Sequence, residues 1–200
     1  VCQIKRTASI KRRTGETEVE VHLDLDGTGR YRVETGIGFF NHLLCLLARH
    51  ACFDLHVLAR GDLEVDGHHT VEDVGICLGL ALREALGTKE GIARYGQALL
   101  PMDDALVLVA VDLCGRGYLG YRAELPAERV GNFETELVEE FLRAAAANGQ
   151  FTLHVQLLAG RNTHHIAEAI FKGLGRALRA AAALDPRESG VPSTKGVLSS

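Results

Sequence analysis

The stretch "TEVEVHLDLDGTGRYRVET" alternates, with Val19, Val21, Leu23 and Leu25 on one side and polar residues on the other, the period of a half-buried strand. "DGTG" supplies turn residues before Tyr31 and Val33, so the pattern predicts a hairpin. The period then changes. "GIGFFNHLLCLLARHAC" spaces its apolar residues as a helix does, and "FDLHVLAR" returns to strand alternation. After the polar loop "GDLEVDG", the run "HHTVEDVGICLGLALREALG" predicts a long apolar-faced helix ended by Gly87.

The second half repeats this order. "DALVLVAVDLCGRGYLGYRAEL" predicts a hairpin, "NFETELVEEFLRAAAANG" a helix capped by Asn132 and closed by Gly149, and "FTLHVQLLAG" a strand. "NTHHIAEAIFKGLGRALRAAAAL" is the last predicted helix. Each half is therefore β-β-α-β-α, and "FDLHVLARGDLEVDGHHTVED" aligns with "FTLHVQLLAGRNTHHIAEA" across a two-residue gap, the mark of an internal repeat. The expected class is α+β, with two amphipathic helices covering one face of an antiparallel sheet in each half. One domain over residues 1–200 is expected, built of pseudo-repeats at about 1–96 and 97–185 with a loop tail at 186–200.

Composition narrows the function classes. The chain is 46% apolar and 24% charged with four prolines, ordinary for a globular protein. Its net charge of −4 comes from basic residues dispersed among acids, which excludes an electrostatic footprint for nucleic acid. No apolar run reaches the ~20 residues that span a bilayer, and "VCQIKRTASIKRRTGE" alternates where a signal peptide would have an apolar core. The expectation is a cytoplasmic protein without a membrane partner. The five cysteines (Cys2, Cys45, Cys52, Cys77, Cys114) lack CxxC spacing and read as reduced, mostly buried small hydrophobes.

The two HHxxE clusters carry the chemistry. Residues four apart share a helix face, so His68 points with Glu72 and His164 with Glu168. His69 and His165 begin neighbouring faces about 100° round the helix. A pair that diverges in this way offers ligands to two different ions. A single HH pair is usually a solvated helix start, but a second copy at the equivalent repeat position makes that reading poor. His42, His154, His56 and Asp73 are further candidates; two mixed nitrogen and oxygen sites need roughly four protein groups apiece. His56 reads as a satisfied core histidine on a strand facing the helices, and His22 and His50 as surface or packing residues. Arg94, Arg116, Lys172 and Lys195 would form an anion pocket, since Arg and Lys suit phosphate. Imidazole and carboxylate without thiolate favour manganese or iron over zinc.

The chain resembles one family along nearly its whole length, from "RTASIKRRTGETEVEV" to "GVPSTKGVL": imidazoleglycerol-phosphate dehydratase, of histidine biosynthesis. The motifs are "LDGTG", "GIGFFNHLL", "DGHHTVEDVGI", "PMDDAL", "GRNTHHIAEAIFK" and "STKG". The resemblance implies two Mn2+ per active site, with ligands at His42, His68, His69, Glu72, His154, His164, His165 and Glu168. It implies a substrate-contacting acid at Glu16 and phosphate binding by Arg94, Arg116, Lys172, Ser193 and Lys195. It also implies four helices sandwiched between two mainly antiparallel sheets, and a homo-oligomer of trimers assembled to 24 subunits with metal sites between subunits. Asn41 stands where the family usually has Asp, so a neutral amide would orient His42. Leu46 replaces a common Gln, and "GRGY" replaces "GRPY".

The family reaction converts imidazole glycerol phosphate to imidazole acetol phosphate. The proton that leaves has no adjacent carbonyl, so hydroxide loss first is the more reasonable order. Metals on both ring nitrogens would stabilise the imidazolate, which expels the hydroxyl to give a diazafulvene-like intermediate with an acidic C–H. Glu168 and Glu16, with Glu72 behind them, are the candidate proton-transfer groups. The alternatives are a dinuclear phosphate-ester hydrolase and a metal-cemented structural oligomer.

Overall fold

In the computed structural model, which describes residues 5–198, Val19, Val21 and Leu23 are buried along β2 (Thr17–Asp24) while Glu18, Glu20 and His22 turn outward. β2 pairs antiparallel with β1 (Thr7–Arg13) and with β4 (Asp54–Gly61), and β3 (Tyr31–Glu34) closes the sheet parallel to β4. The expected hairpin of β2 with β3 does not form, because β4 lies between them. Asp54 is the cause. Its Oδ1 accepts the N–H groups of Thr28 (2.8 Å) and Arg30 (2.9 Å), so "DGTG" wraps the start of β4 instead of folding back on β2.

The second half follows the same order. β5 (Tyr95–Met102), β6 (Ala105–Asp112) and β10 (Thr152–Ala159) run antiparallel, and β7 (Tyr118–Arg122) is parallel to β10. Here too the expected hairpin, β6 with β7, is split by the strand that comes later in the chain. β1 and β5 extend each half by one strand beyond the β-β-α-β-α reading.

α1 (Gly38–Ala51) and α2 (His68–Leu86) belong to the first half, α3 (Leu137–Gly149) and α4 (Thr163–Ala182) to the second. α2 packs on β1 and β2, α4 on β5 and β6, and the halves meet through α2 against α3 and α1 against α4. The helices therefore lie between the two sheets. Two glycines set how closely they approach. A Cβ on Gly79 would lie 2.5 Å from the Ala145 carbonyl oxygen, and one on Gly175 would lie 2.6 Å from that of Leu47. Phe40 meets the ring of Phe141 edge-to-face at 5.4 Å between centroids and Phe141 stacks on Phe171 at 5.2 Å, tying α1, α3 and α4 together. Each such buried ring contributes about 1.5–3 kcal/mol.

The start of α3 differs from expectation. Asn132 does not cap it, because Phe133 and Glu134 form β9, paired with β8 (Arg129–Val130). Phe133 is fully buried, stacked 5.9 Å from Phe40, and only an extended backbone delivers it there. Gly87 ends α2 at φ 53° as expected, and the Asn162 side chain, not anticipated from the sequence, caps α4 by accepting the N–H groups of His164 and His165. Cys77 and Cys114 are buried, Cys45 and Cys52 half-buried, and Cys2 lies outside the described residues.

In open space, alanine for glycine inside a helix gains about 1 kcal/mol. Gly79→Ala is expected instead to lose about 1–3 kcal/mol in urea unfolding, because the added methyl meets backbone that cannot give way. Gly15→Ala, with nothing within 4 Å, is the neutral control. A Gly79→Ala protein as stable as its parent would rule out backbone contact between α2 and α3.

Candidate metal centre and anion cavity

His42 on α1 and His164 and Glu168 on α4 converge, their ligand atoms all within 4.8 Å of one another. Both Nε2 atoms face one carboxylate oxygen, Glu168 Oε1, at 2.6 Å from His42 and 3.0 Å from His164. The other oxygen accepts from Lys172 Nζ at 2.7 Å. Phe39 packs beneath, its centroid 4.9 Å from that of His164. Burial alone would raise the Glu168 pKa, but hydrogen bonds from Lys172, His42 and His164 overcome it and bring it down to about 2. Two imidazole nitrogens and an ionised carboxylate, aimed at one point without thiolate, fit a divalent cation.

The first-half cluster is built alike but stays open. The ring planes of His68 and His69 lie at 88° to one another, those of His164 and His165 at 84°. In the second half the pair separates by partner, His164 on Glu168 and His165 on Asp104. His69 Nδ1 lies 3.0 Å from Asp62 Oδ2 and 3.8 Å from Glu16, and the hydrogen bond to Asp62 raises its pKa. His165 Nδ1 lies 2.7 Å from Asp104 Oδ1. Asp104 is held well below the carboxylate range by the N–H of Arg161, by His165 and by the N–H of Asn162. His154 is exposed between buried Leu153 and Val155, so it projects from the sheet face away from the helices, against Tyr118 and over Gly120. Of the eight expected ligands, His42, His164 and Glu168 come together; among the described residues His68, His69, Glu72, His154 and His165 join no such group.

Four of the five expected phosphate residues, Arg94, Arg116, Ser193 and Lys195, line one cavity of about 740 Å³ under the C-terminal segment, with Glu188 on its wall. Lys172 lies elsewhere, on Glu168. Arg94, at φ 69°, spends its guanidinium on Asp112 (2.8 and 3.2 Å) and on the Pro192 carbonyl (2.8 Å) and stacks 4.6 Å over Tyr95. Lys89, missed in the sequence, is buried and donates to the Leu198 carbonyl.

Three expectations are corrected. Asn41 does not orient His42; its Oδ1 accepts from the Thr35 N–H and hydroxyl at 2.9 and 2.6 Å, bracing the turn into α1. His56 does not face the helices: it alternates with buried Leu55 and Val57, stacks 5.6 Å from His22 on the outer face, and its Nε2 finds no partner among the described residues. Asp73 is buried beneath Arg12 (2.9 Å) and the Thr17 hydroxyl, locking α2 to the first sheet, and is not a ligand. Asp62 and Asp104 escaped notice because a lone aspartate in a loop carries no spacing signal.

Comparison with known proteins places these features. Residues 35–178 match the family model described as imidazoleglycerol-phosphate dehydratase. The protein of that name from Moorella thermoacetica is 61% identical over 196 residues, 98% of this chain and all of the relative. That from Desulforudis audaxviator is 62% identical over 193 residues, 96% of this chain and 98% of the relative. Among solved structures, imidazoleglycerol-phosphate dehydratase from Staphylococcus aureus superposes with TM-score 0.82 at 40% identity, covering 90% of this chain and 99% of its own. The Pyrococcus furiosus enzyme in complex with (S)-C348 gives 0.81 at 39%, covering 94% and 100%.

Arg116 makes no ion pair among the described residues, whereas Arg94 anchors the cavity wall. Arg116→Ala is therefore expected to weaken inorganic phosphate binding about tenfold or more, with stability unchanged to about 0.5 kcal/mol. Arg94→Ala is expected to lose both binding and stability. Calorimetric titration beside thermal unfolding separates the two, and equal behaviour of the variants would contradict this division.

Proposed function

The chain belongs to the imidazoleglycerol-phosphate dehydratase family, hydro-lyases of histidine biosynthesis, and on that premise we propose that it works with two Mn2+ per active site, through a metal-stabilised imidazolate. The observation that carries this reading is the convergence of His42, His164 and Glu168 from opposite halves of the repeat on one point. When bound, the two ions would supply Lewis acidity to the two nitrogens of the substrate imidazole. His42, His164 and Glu168 would hold part of one site; His68, His69, Glu72, His154 and His165 would complete the pair. His154 faces away from the helices, which supports completion by other copies of the chain, in the family's expected assembly of trimers to 24 subunits.

The residues divide the remaining work. Glu168, ionised and held low by Lys172 and two histidines, is suited to ligation and poorly suited to taking a proton. Glu16 is exposed on the β1–β2 turn with His69 as its near neighbour at 3.8 Å, which favours it as the acid/base group. Glu72, half-buried one turn beyond His68, belongs with the ligands. Arg94, Arg116, Ser193 and Lys195 would hold the phosphate, so that binding energy far from the reacting carbon positions it. Lys172, beside Glu168, would reach that phosphate only from a different copy. The expected location is the cytoplasm; among the described residues no helix is long and apolar enough to cross a membrane.

Anaerobic metal analysis beside an assay for imidazole acetol phosphate tests this reading. Two Mn2+ per subunit, loss of turnover on chelation and its return with Mn2+, with no inorganic phosphate released, are expected. Glu168→Gln should lose metal and at least 100-fold in turnover. Full turnover with normal metal occupancy in that variant would overturn the assignment. Removing residues 190–200 takes away Ser193 and Lys195 and should raise KM sharply while metal content stays intact. Unchanged kinetics would exclude the segment from substrate binding.

A further inference from the structure

The two histidines that head away from the His68 and His164 faces are each buttressed on the same nitrogen. His69 Nδ1 is 3.0 and 3.2 Å from the two oxygens of Asp62, and His165 Nδ1 is 2.7 Å from Asp104 Oδ1. An ionised carboxylate can only accept, so Nδ1 must carry the proton in both rings. Nε2 is then the nitrogen with a free lone pair. In His69 it makes no hydrogen bond among the described residues; in His165 the nearest carboxylate oxygen, of Asp103, stands 3.5 Å away, beyond a good hydrogen bond.

The two aspartates are not repeat copies of each other. Asp62 lies in the loop between β4 and α2, whereas Asp104 lies in the turn between β5 and β6, whose counterpart in the first half holds Glu16. Different loops therefore deliver the same carboxylate to the same ring atom, an arrangement that duplication by itself would not produce. Asp104 is also held firmly, its Oδ2 accepting from the N–H groups of Arg161 (2.7 Å) and Asn162 (3.0 Å).

We propose that Asp62 and Asp104 are paired positioning residues, each fixing the tautomer and ring orientation of its histidine so that Nε2 is presented to a divalent ion. This rests on the reading of His69 and His165 as ligands. A carboxylate behind an imidazole also raises its basicity toward a metal, an effect that typically changes affinity 10- to 100-fold.

The test is Mn2+ titration followed by electron paramagnetic resonance of the free ion, with nitrogen NMR of the histidine rings in metal-free protein. Asp62→Ala, whose side chain makes no other hydrogen bond among the described residues, should weaken Mn2+ binding 10- to 100-fold and move His69 toward the Nε2–H tautomer. Asp104→Asn keeps one acceptor oxygen, which the N–H groups of Arg161 and Asn162 claim, so its amide NH2 faces His165 Nδ1; it should move His165 toward the Nε2–H tautomer and lose affinity much as Asp104→Ala does. Asp62→Asn, whose oxygen has only His69 Nδ1 to serve among the described residues, should recover most of the loss. If the parent protein binds Mn2+ while Asp62→Ala keeps both its affinity and its tautomer, the proposal is wrong. If the parent protein binds no Mn2+, the underlying assignment of the ligands fails, and the proposal with it.

Discussion

The close seating of α4 on α1 is the constraint from which the site follows. Gly175 has no side chain where the Leu47 carbonyl and the Ala51 N–H come against α4, so the helices approach at backbone distance. His42, nearer the start of α1, thereby reaches across to His164 and Glu168 on the same face of α4. Neither half contains this cluster. The contact that joins the halves creates it, and the pseudo-equivalent contact of α2 on α3, through Gly79, brings no histidine because α3 carries none.

The asymmetry between the two junctions bears on the electrostatics. At α1–α4 a buried carboxylate is surrounded by two imidazoles and an ammonium, and those hydrogen bonds outweigh desolvation. On α2 the counterpart of Glu168 is Glu72, and it is the neighbouring acid, Asp73, that Arg12 and Thr17 hold against β1 and β2. One acid of the first-half helix is thus used to anchor it to its sheet, leaving Glu72 and the two histidines at the edge. A group left at an edge can be shared with a neighbour, and the proposed completion of the metal sites between copies uses that edge.

The periodic elements were legible in the sequence because each buries one face: the four helices and the alternating strands β2, β4, β6 and β10 are where the pattern predicts. Strand partners were not legible. Alternation shows which side of a strand is buried but carries no information about its neighbour, so the crossover that recurs in both sheets leaves no mark in the pattern. The same limit applies to Phe133, whose burial against Phe40 overrides the capping signal of Asn132. In the site, helical spacing disclosed the pairing of His164 with Glu168. It could not disclose that Lys172, one turn further along, serves the carboxylate and stands apart from the anion cavity.

That cavity joins the chain's end to its middle. Arg94 holds the Pro192 carbonyl, Lys89 the Leu198 carbonyl, and the Gly91 N–H that of Gly190, so the segment is tied at three places to the loop between α2 and β5. Lys89 is buried, and desolvation lowers its pKa. Taking an ammonium out of water costs free energy that the Leu198 carbonyl and nearby Asp112 offset only in part. Asp112 also takes the Arg94 fork. One carboxylate therefore stabilises the two cations that hold the tail, and the tail brings Ser193 and Lys195 to face Arg116. A segment with no core of its own acquires a fixed position through charge, and the position it acquires completes the cavity lined by Arg94, Arg116 and Lys195.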